Sequence, residues 1–102
     1  MLFRSHGVSA LVPHSEVPWM ALGNLYFSQG KFDDALKAHR QAVRLADDSA
    51  AAHAAVGEVL MFMKKFDESN ISLNRAIELE PDGPAAEFAK GLQETQQLGI
   101  FD

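Results

Sequence analysis

The chain has no cysteine. Disulfides and thiolate metal sites are therefore excluded, although this alone does not identify a compartment. No apolar run approaches the roughly 20 residues that a membrane-spanning helix needs. Leu11-Val12 is too short a stretch for the core of a signal peptide. Basic excess is missing too: 9 lysines and arginines stand against 14 carboxylates, a formal net charge of −5. Phosphate contact needs a basic stripe, so nucleic acid is not expected as a partner, and neither is membrane insertion. The imbalance sits in the second half. Residues 1–51 carry five basic and five acidic side chains, and residues 52–102 carry four and nine. This pattern reads first as a solvated helical surface, and second as a bias toward basic partners.

Reactive constellations are equally scarce. The four histidines are His6, His14, His39 and His53. None stands at metal-ligand spacing from another, and there is no HExxH. His39 and His53 are expected to be packing substitutes with one satisfied ring nitrogen each. Asp33-Asp34, Asp47-Asp48 and Asp67-Glu68 are adjacent pairs. Neighbouring residues on a helix do not face one another as an acid–base pair must, and helix starts explain them better. Glycine-rich phosphate loops are missing. The sequence thus offers no catalytic residues, no metal site and no cofactor site, and an enzyme is not expected.

What the chain has is a period. Trp19-Met-Ala-Leu22-Gly23-Asn-Leu-Tyr26 returns, weakened, 34 residues later as His53-Ala-Ala-Val56-Gly57-Glu-Val-Leu60. Gly23, Gly57 and Gly91 keep the spacing, as do Phe32 and Phe66, Asp33 and Asp67, Ala42 and Ala76, and Leu45 and Leu79. Self-similarity at a fixed period of this length signals a stack of helical hairpins.

These residues resemble the tetratricopeptide repeat, whose pattern is W-x2-L-G-x2-Y, then A-x3-F, then P. The first unit, residues 16–49, matches at Trp19, Leu22, Gly23, Tyr26 and Ala35, and departs at His39 and Asp47. The second, residues 50–83, keeps Gly57 and Pro81, and has His53, Leu60 and Leu73 in the tryptophan, tyrosine and later aromatic slots. The resemblance implies an all-α, right-handed helical-hairpin solenoid of two units plus a C-terminal capping helix over residues 84–98.

Local signals agree with that outline. Trp19, Leu22, Leu25, Tyr26 and Phe27 fall mostly at helical spacing. Gly30 is a C-cap candidate, since glycine accepts the left-handed conformation cheaply. Asp47-Asp48-Ser49 supplies a candidate N-cap for a third helix. Gly23 and Gly57 sit inside helices, where glycine costs about 1 kcal/mol relative to alanine. Close backbone-to-backbone packing within each hairpin is the expected compensation. Ala85, Phe88, Ala89 and Leu92 give the last helix one apolar face, while Glu87, Lys90, Glu94 and Gln97 keep the other polar, as a solenoid end requires. The Trp19 slot thus passes from an expected core anchor, through His53, to solvent at Glu87. Residues 1–15 read as the remnant of a preceding repeat helix or an N-terminal arm, because Val8, Leu11 and Pro13 keep register with Ala76, Leu79 and Pro81. Residues 99–102 form a short tail.

The resemblance also implies where a ligand lies: along the concave face made by the first helix of each hairpin. Carried over by slot, the peptide-binding groove comprises Val17, Met20, Asn24, Phe27, Ala54, Glu58, Met61, Phe88 and Leu92, with Ser28, Ala51, Phe62, Ala85 and Thr95 beside them. The surface is apolar, with Asn24 and Glu58 as polar exceptions. Family members that clamp a peptide carboxylate use lysines, asparagines and an arginine. Here Asn24 fits one such slot, but Met20, Ala55, Ala85 and Ala89 occupy the others and supply no such donors, so a carboxylate clamp is not expected. The function expected is a protein–protein interaction module or scaffold that binds a peptide segment of a protein partner. The alternatives are a regulatory or assembly array of a larger enzyme, and a self-association module. Two units and a cap lie near the lower limit of about three repeats, so a weak homo-oligomer through the uncapped amino side is part of the last reading.

Overall fold

A computed structural model describes residues 15–99. Apart from Ser15, the expected repeat remnant lies outside the described residues, as do tail residues 100–102. Five helices follow one another: α1 Val17–Ser28, α2 Phe32–Leu45, α3 Ala50–Phe62, α4 Phe66–Leu79 and α5 Pro84–Gln97. Among the described residues there is no strand. The architecture is the expected all-α helical-hairpin repeat. α1 packs on α2 and α3 on α4, and α2 against α3 joins the two hairpins. α5 packs on both α3 and α4. Helices α1, α3 and α5 therefore form an inner row, and α2 and α4 an outer one.

The helix ends follow from their residues. Ser49 caps α3 by accepting a hydrogen bond from the Ala52 N–H at 3.2 Å, satisfying one of the orphan donors of a helix start. Pro18 and Pro84 occupy the first turns of α1 and α5, where the missing N–H has no partner to lose. Asp33 and Asp34 open α2, and Asp67 and Glu68 open α4, with their charge at the positive end of each helix dipole. The two hairpin turns are replicas. The Lys31 N–H donates to the Tyr26 carbonyl at 2.9 Å, and 34 residues on the Lys65 N–H donates to Leu60 at 2.9 Å. Each turn needs one residue at positive φ. The first uses Gly30 at +77° and the second uses Lys64 at +64°. The turn geometry is thus inherited from the repeat, even where the residue bears a Cβ that disfavours it.

The core divides into two clusters, and α3 belongs to both. Its Val56, Val59 and Leu60 meet Ala35 and Leu36 of α2, with Tyr26, Phe27 and Val43 packed alongside. Its Ala50 and Ala54 meet Leu73 and Ala76 of α4 and Ala89 of α5. Nine of its thirteen residues are buried, as expected of a helix that is apolar on all sides. Polar contacts fasten α5 to α4. Asn70 donates to the Gln96 side-chain oxygen at 3.0 Å, and Gln93 donates to Asn74 at 2.8 Å. Glu87, Lys90 and Glu94 lie exposed on the far side of α5.

Two expectations are corrected by this packing. At Gly23 the nearest neighbour is a side chain rather than backbone: a Cβ there would come within 2.5 Å of the His39 ring, so the glycine makes room for an imidazole. Gly57 makes room for Leu73, the same slot one repeat later, and there backbone is close as well, with the Ser69 carbonyl at 3.2 Å. The Ser69 hydroxyl donates to the Gly57 carbonyl at 2.7 Å. The second correction concerns Trp19, which is only partly buried rather than a core anchor.

Candidate functional site

The inner row encloses a groove of about 450 Å³. Ala54 and Glu58 come to it from α3, Asn24 from α1, and Ala85 and Phe88 from α5. The period explains the gathering. Ala50, Ala51 and Ala54 line one side, and their repeat equivalents Pro84, Ala85 and Phe88 line the other. Asn24 and Glu58 are likewise a single slot seen twice. Alanines leave the floor shallow, so Phe88 is the dominant side chain and keeps 44% of its surface exposed.

Glu58 is the electrostatic centre of the groove. It is half-buried, and burial raises its carboxyl above the usual carboxylate range. It has no hydrogen bond or ion pair among the described residues. A partly desolvated carboxylate without a donor favours any arriving N–H or cation. Asn24 is exposed at its own slot and offers both an acceptor and donors.

Of the nine residues predicted to form the groove, Asn24, Ala54, Glu58 and Phe88 come together. Val17 is exposed at the start of α1, and Met20 is partly buried, both outside the groove lining. Phe27 belongs instead to an aromatic cluster at the hairpin turns. Its ring lies 5.5 Å from Phe32 and 5.0 Å edge-on from Phe62. Met61 is corrected: it is 0% exposed and presents nothing to a ligand. It lies on the central helix, covered on both sides. Leu92 packs on the cluster around Ala89 rather than opening to the groove. The sequence reading missed Ser49, Ala50, Ala55, Glu80 and Pro84 in the lining. All but Ala55 flank the connections between helices, and the signal for Ala50 and Pro84 was their place one residue before Ala51 and Ala85, which the reading did include.

The histidines divide. The His53 Nε2 lies 2.8 Å from the Asp47 carbonyl, the single satisfied nitrogen expected. His39 departs from expectation: it is 1% exposed and its Nδ1 has no hydrogen-bond partner. Burial lowers its pKa and favours the neutral ring. Among the described residues no group of three or more His, Asp or Glu side chains is arranged to hold a metal ion. No described helix is long and apolar enough to cross a membrane.

Comparison with known proteins agrees with the repeat geometry. No curated protein matches the chain. A family model described as TPR repeat matches residues 23–64, and one described as tetratricopeptide repeat matches residues 50–82. Together they span α1 to α4 from Gly23 onward, more than half of the chain, and with the two replicate hairpins they establish that the chain belongs to the tetratricopeptide repeat family.

Proposed function

We propose that the inner groove binds an extended segment of a protein partner. Repeats of this family are in general protein–protein interaction modules. The observation that carries the finer reading is the half-buried, unpaired Glu58 carboxylate beside the exposed Phe88 ring, across a floor of alanines. An apolar side chain of the segment packs on Phe88 and the alanines. A backbone amide or a basic side chain of the segment donates to Glu58, and Asn24 holds the segment's backbone one repeat away. Small residues on the floor admit the partner's main chain close to α3, so the groove fixes direction more than sequence.

Selection of binders from a displayed peptide library, followed by affinity measurement on variants, tests this reading. Phe88→Glu is expected to weaken the selected peptides by about tenfold or more, a loss of about 1.4 kcal/mol. Glu58→Gln is expected to weaken basic peptides more than neutral ones. Helical circular dichroism stays unchanged in both, because neither side chain is fully buried. Unchanged affinity in both variants would remove the inner groove as the binding surface.

A further inference from the structure

On the outer side, α2 and α4 stand apart with α3 between them, leaving a second groove of about 710 Å³. This lies within the range of about 300–1,000 Å³ common for ligand sites. Val43 and Val56 contribute apolar surface to it, and Ile71 of α4 lies at its edge with 71% of its surface exposed. Three of the chain's four arginines, Arg40, Arg44 and Arg75, line this one groove. Arg40 and Arg44 are four residues apart on α2 and so share a face. Glu78 is the only carboxylate among the lining residues. Among the lining residues the balance is three positive charges to one negative, and three to two with Glu68 beside Arg40, on a chain whose formal net charge is −5.

The repeat does not require these arginines. The slots 34 residues after Arg40 and Arg44 hold Asn74 and Glu78, and the slot 34 before Arg75 holds Gln41. Nor are the arginines consumed internally. Arg40 reaches Glu68 at 3.8 Å and Arg75 reaches Glu78 at 3.6 Å, with all four side chains about half exposed or more. Pairs of this kind contribute about 0–1 kcal/mol, so an arriving carboxylate exchanges with them readily. Arg44 has no ion pair among the described residues.

We propose that this outer groove is a second docking site, for a protein segment in which carboxylates flank one bulky apolar side chain. The apolar side chain covers Ile71 and Val43. The flanking carboxylates take forked hydrogen bonds from Arg44 and Arg40 on one side and Arg75 on the other. Charge complementarity selects the occupant: the groove is basic where the rest of the chain is acidic, which steers an acidic segment toward it and away from other surfaces. Nucleic acid fits less well, because the groove's apolar surface is aliphatic and offers no large aromatic face for base stacking. The site does not depend on the inner groove, since the two share α3 but no lining side chain.

The test is fluorescence anisotropy with a labelled peptide carrying glutamates on both sides of one phenylalanine. Controls are its glutamine counterpart, its alanine-for-phenylalanine counterpart and an oligothymidylate competitor. The acidic peptide is expected to bind, to weaken with added salt, and to lose about tenfold or more in affinity in the Arg40→Gln/Arg44→Gln double variant. Arg40→Lys/Arg44→Lys retains part of the binding, Ile71→Ser weakens it, and Phe88→Glu leaves it unchanged. Circular dichroism shows whether each variant keeps its helices, and the lysine variant carries the comparison if the glutamine one does not. Any of four results overturns the proposal: no binding tighter than about 1 mM, equal binding of the glutamine peptide, equal binding by a folded double variant, or full displacement by the oligothymidylate. Light scattering that reveals self-association lost in the double variant also overturns it, by placing a second copy in the groove.

Discussion

Leu25 of α1 is 53% exposed, whereas Val59, its equivalent one repeat later in α3, is completely buried. Tyr26 is partly exposed where Leu60 is buried, and Phe27 is partly exposed where Met61 is buried. The first hairpin carries the bulkier residues and the closer match to the repeat pattern, yet α1 fully buries only Gly23. Both α1 and α3 are apolar on all sides. The difference is position: α3 lies between α2 and α5, while among the described residues α1 is packed chiefly on α2. Burial in a stacked repeat follows from which neighbours a slot has, and only secondarily from the residue in it.

The largest effect that tests this contrast is truncation at the paired slots. Leu60→Ala is expected to cost about 2–5 kcal/mol, as for a fully buried leucine. Tyr26→Ala, which removes a larger side chain, is expected to cost distinctly less. Urea denaturation of the two variants checks the order, and equal losses would break the comparison.

The glycines sharpen it next. Gly57→Ala forces Leu73 aside next to the Ser69 carbonyl and is expected to cost about 1–3 kcal/mol, as overpacking does. Gly91→Ala is expected to stabilise by up to about 1 kcal/mol, because a Cβ there meets nothing within 4 Å and the helix gains. Thermal unfolding of both variants should shift in opposite directions. The opposite signs would show that the third in-register glycine has lost the packing role of the second.

A smaller effect comes from the slot that faces these glycines. His39 leaves Nδ1 unsatisfied in the first hairpin where Leu73 is apolar in the second. His39→Leu copies the second hairpin into the first and is expected to stabilise by about 1 kcal/mol. It should also change the pH profile. Burial lowers the His39 pKa, so the folded state holds the neutral ring. Its stability is full above the unfolded value of about 6.5 and falls as pH drops toward the lower folded value. Denaturation midpoints between about pH 5 and 7 should slope in the wild type, with a shallower slope in the variant.

The smallest effect lies in the turns. Lys64→Gly is expected to stabilise by a few tenths to about 1 kcal/mol, because glycine relieves the positive φ that Gly30 already carries without strain. A shift in melting temperature upward for Lys64→Gly and downward for Gly30→Lys would fit. No shift in either would mean that the turn conformation is unimportant to stability.

The helices were readable because their signals are local. Ser49 caps α3, Pro84 starts α5, Gly30 ends α1, and the period of 34 aligns them. The inner groove was partly readable for the same reason: Asn24 and Glu58 fall on one slot, and Phe88 repeats the slot of Ala54. Met61 and Leu92 were misassigned because period alone tells which face a residue shares, and the number of helices covering that face is a property of the stack. His39 was correctly read as a packing substitute, but its orphaned nitrogen depends on a ring buried against Gly23.

By itself, then, the sequence determined the repeat, its register, the helical hairpins and the scarcity of reactive groups, since each rests on residue type and spacing along one chain. The tertiary structure decided which copy of each slot is buried, that Phe27 joins an aromatic cluster, that Glu58 lies half-desolvated beside Phe88, and that Arg40, Arg44 and Arg75 converge on one groove. These are facts about separate helices brought side by side, and spacing along a chain does not encode the neighbours that packing supplies.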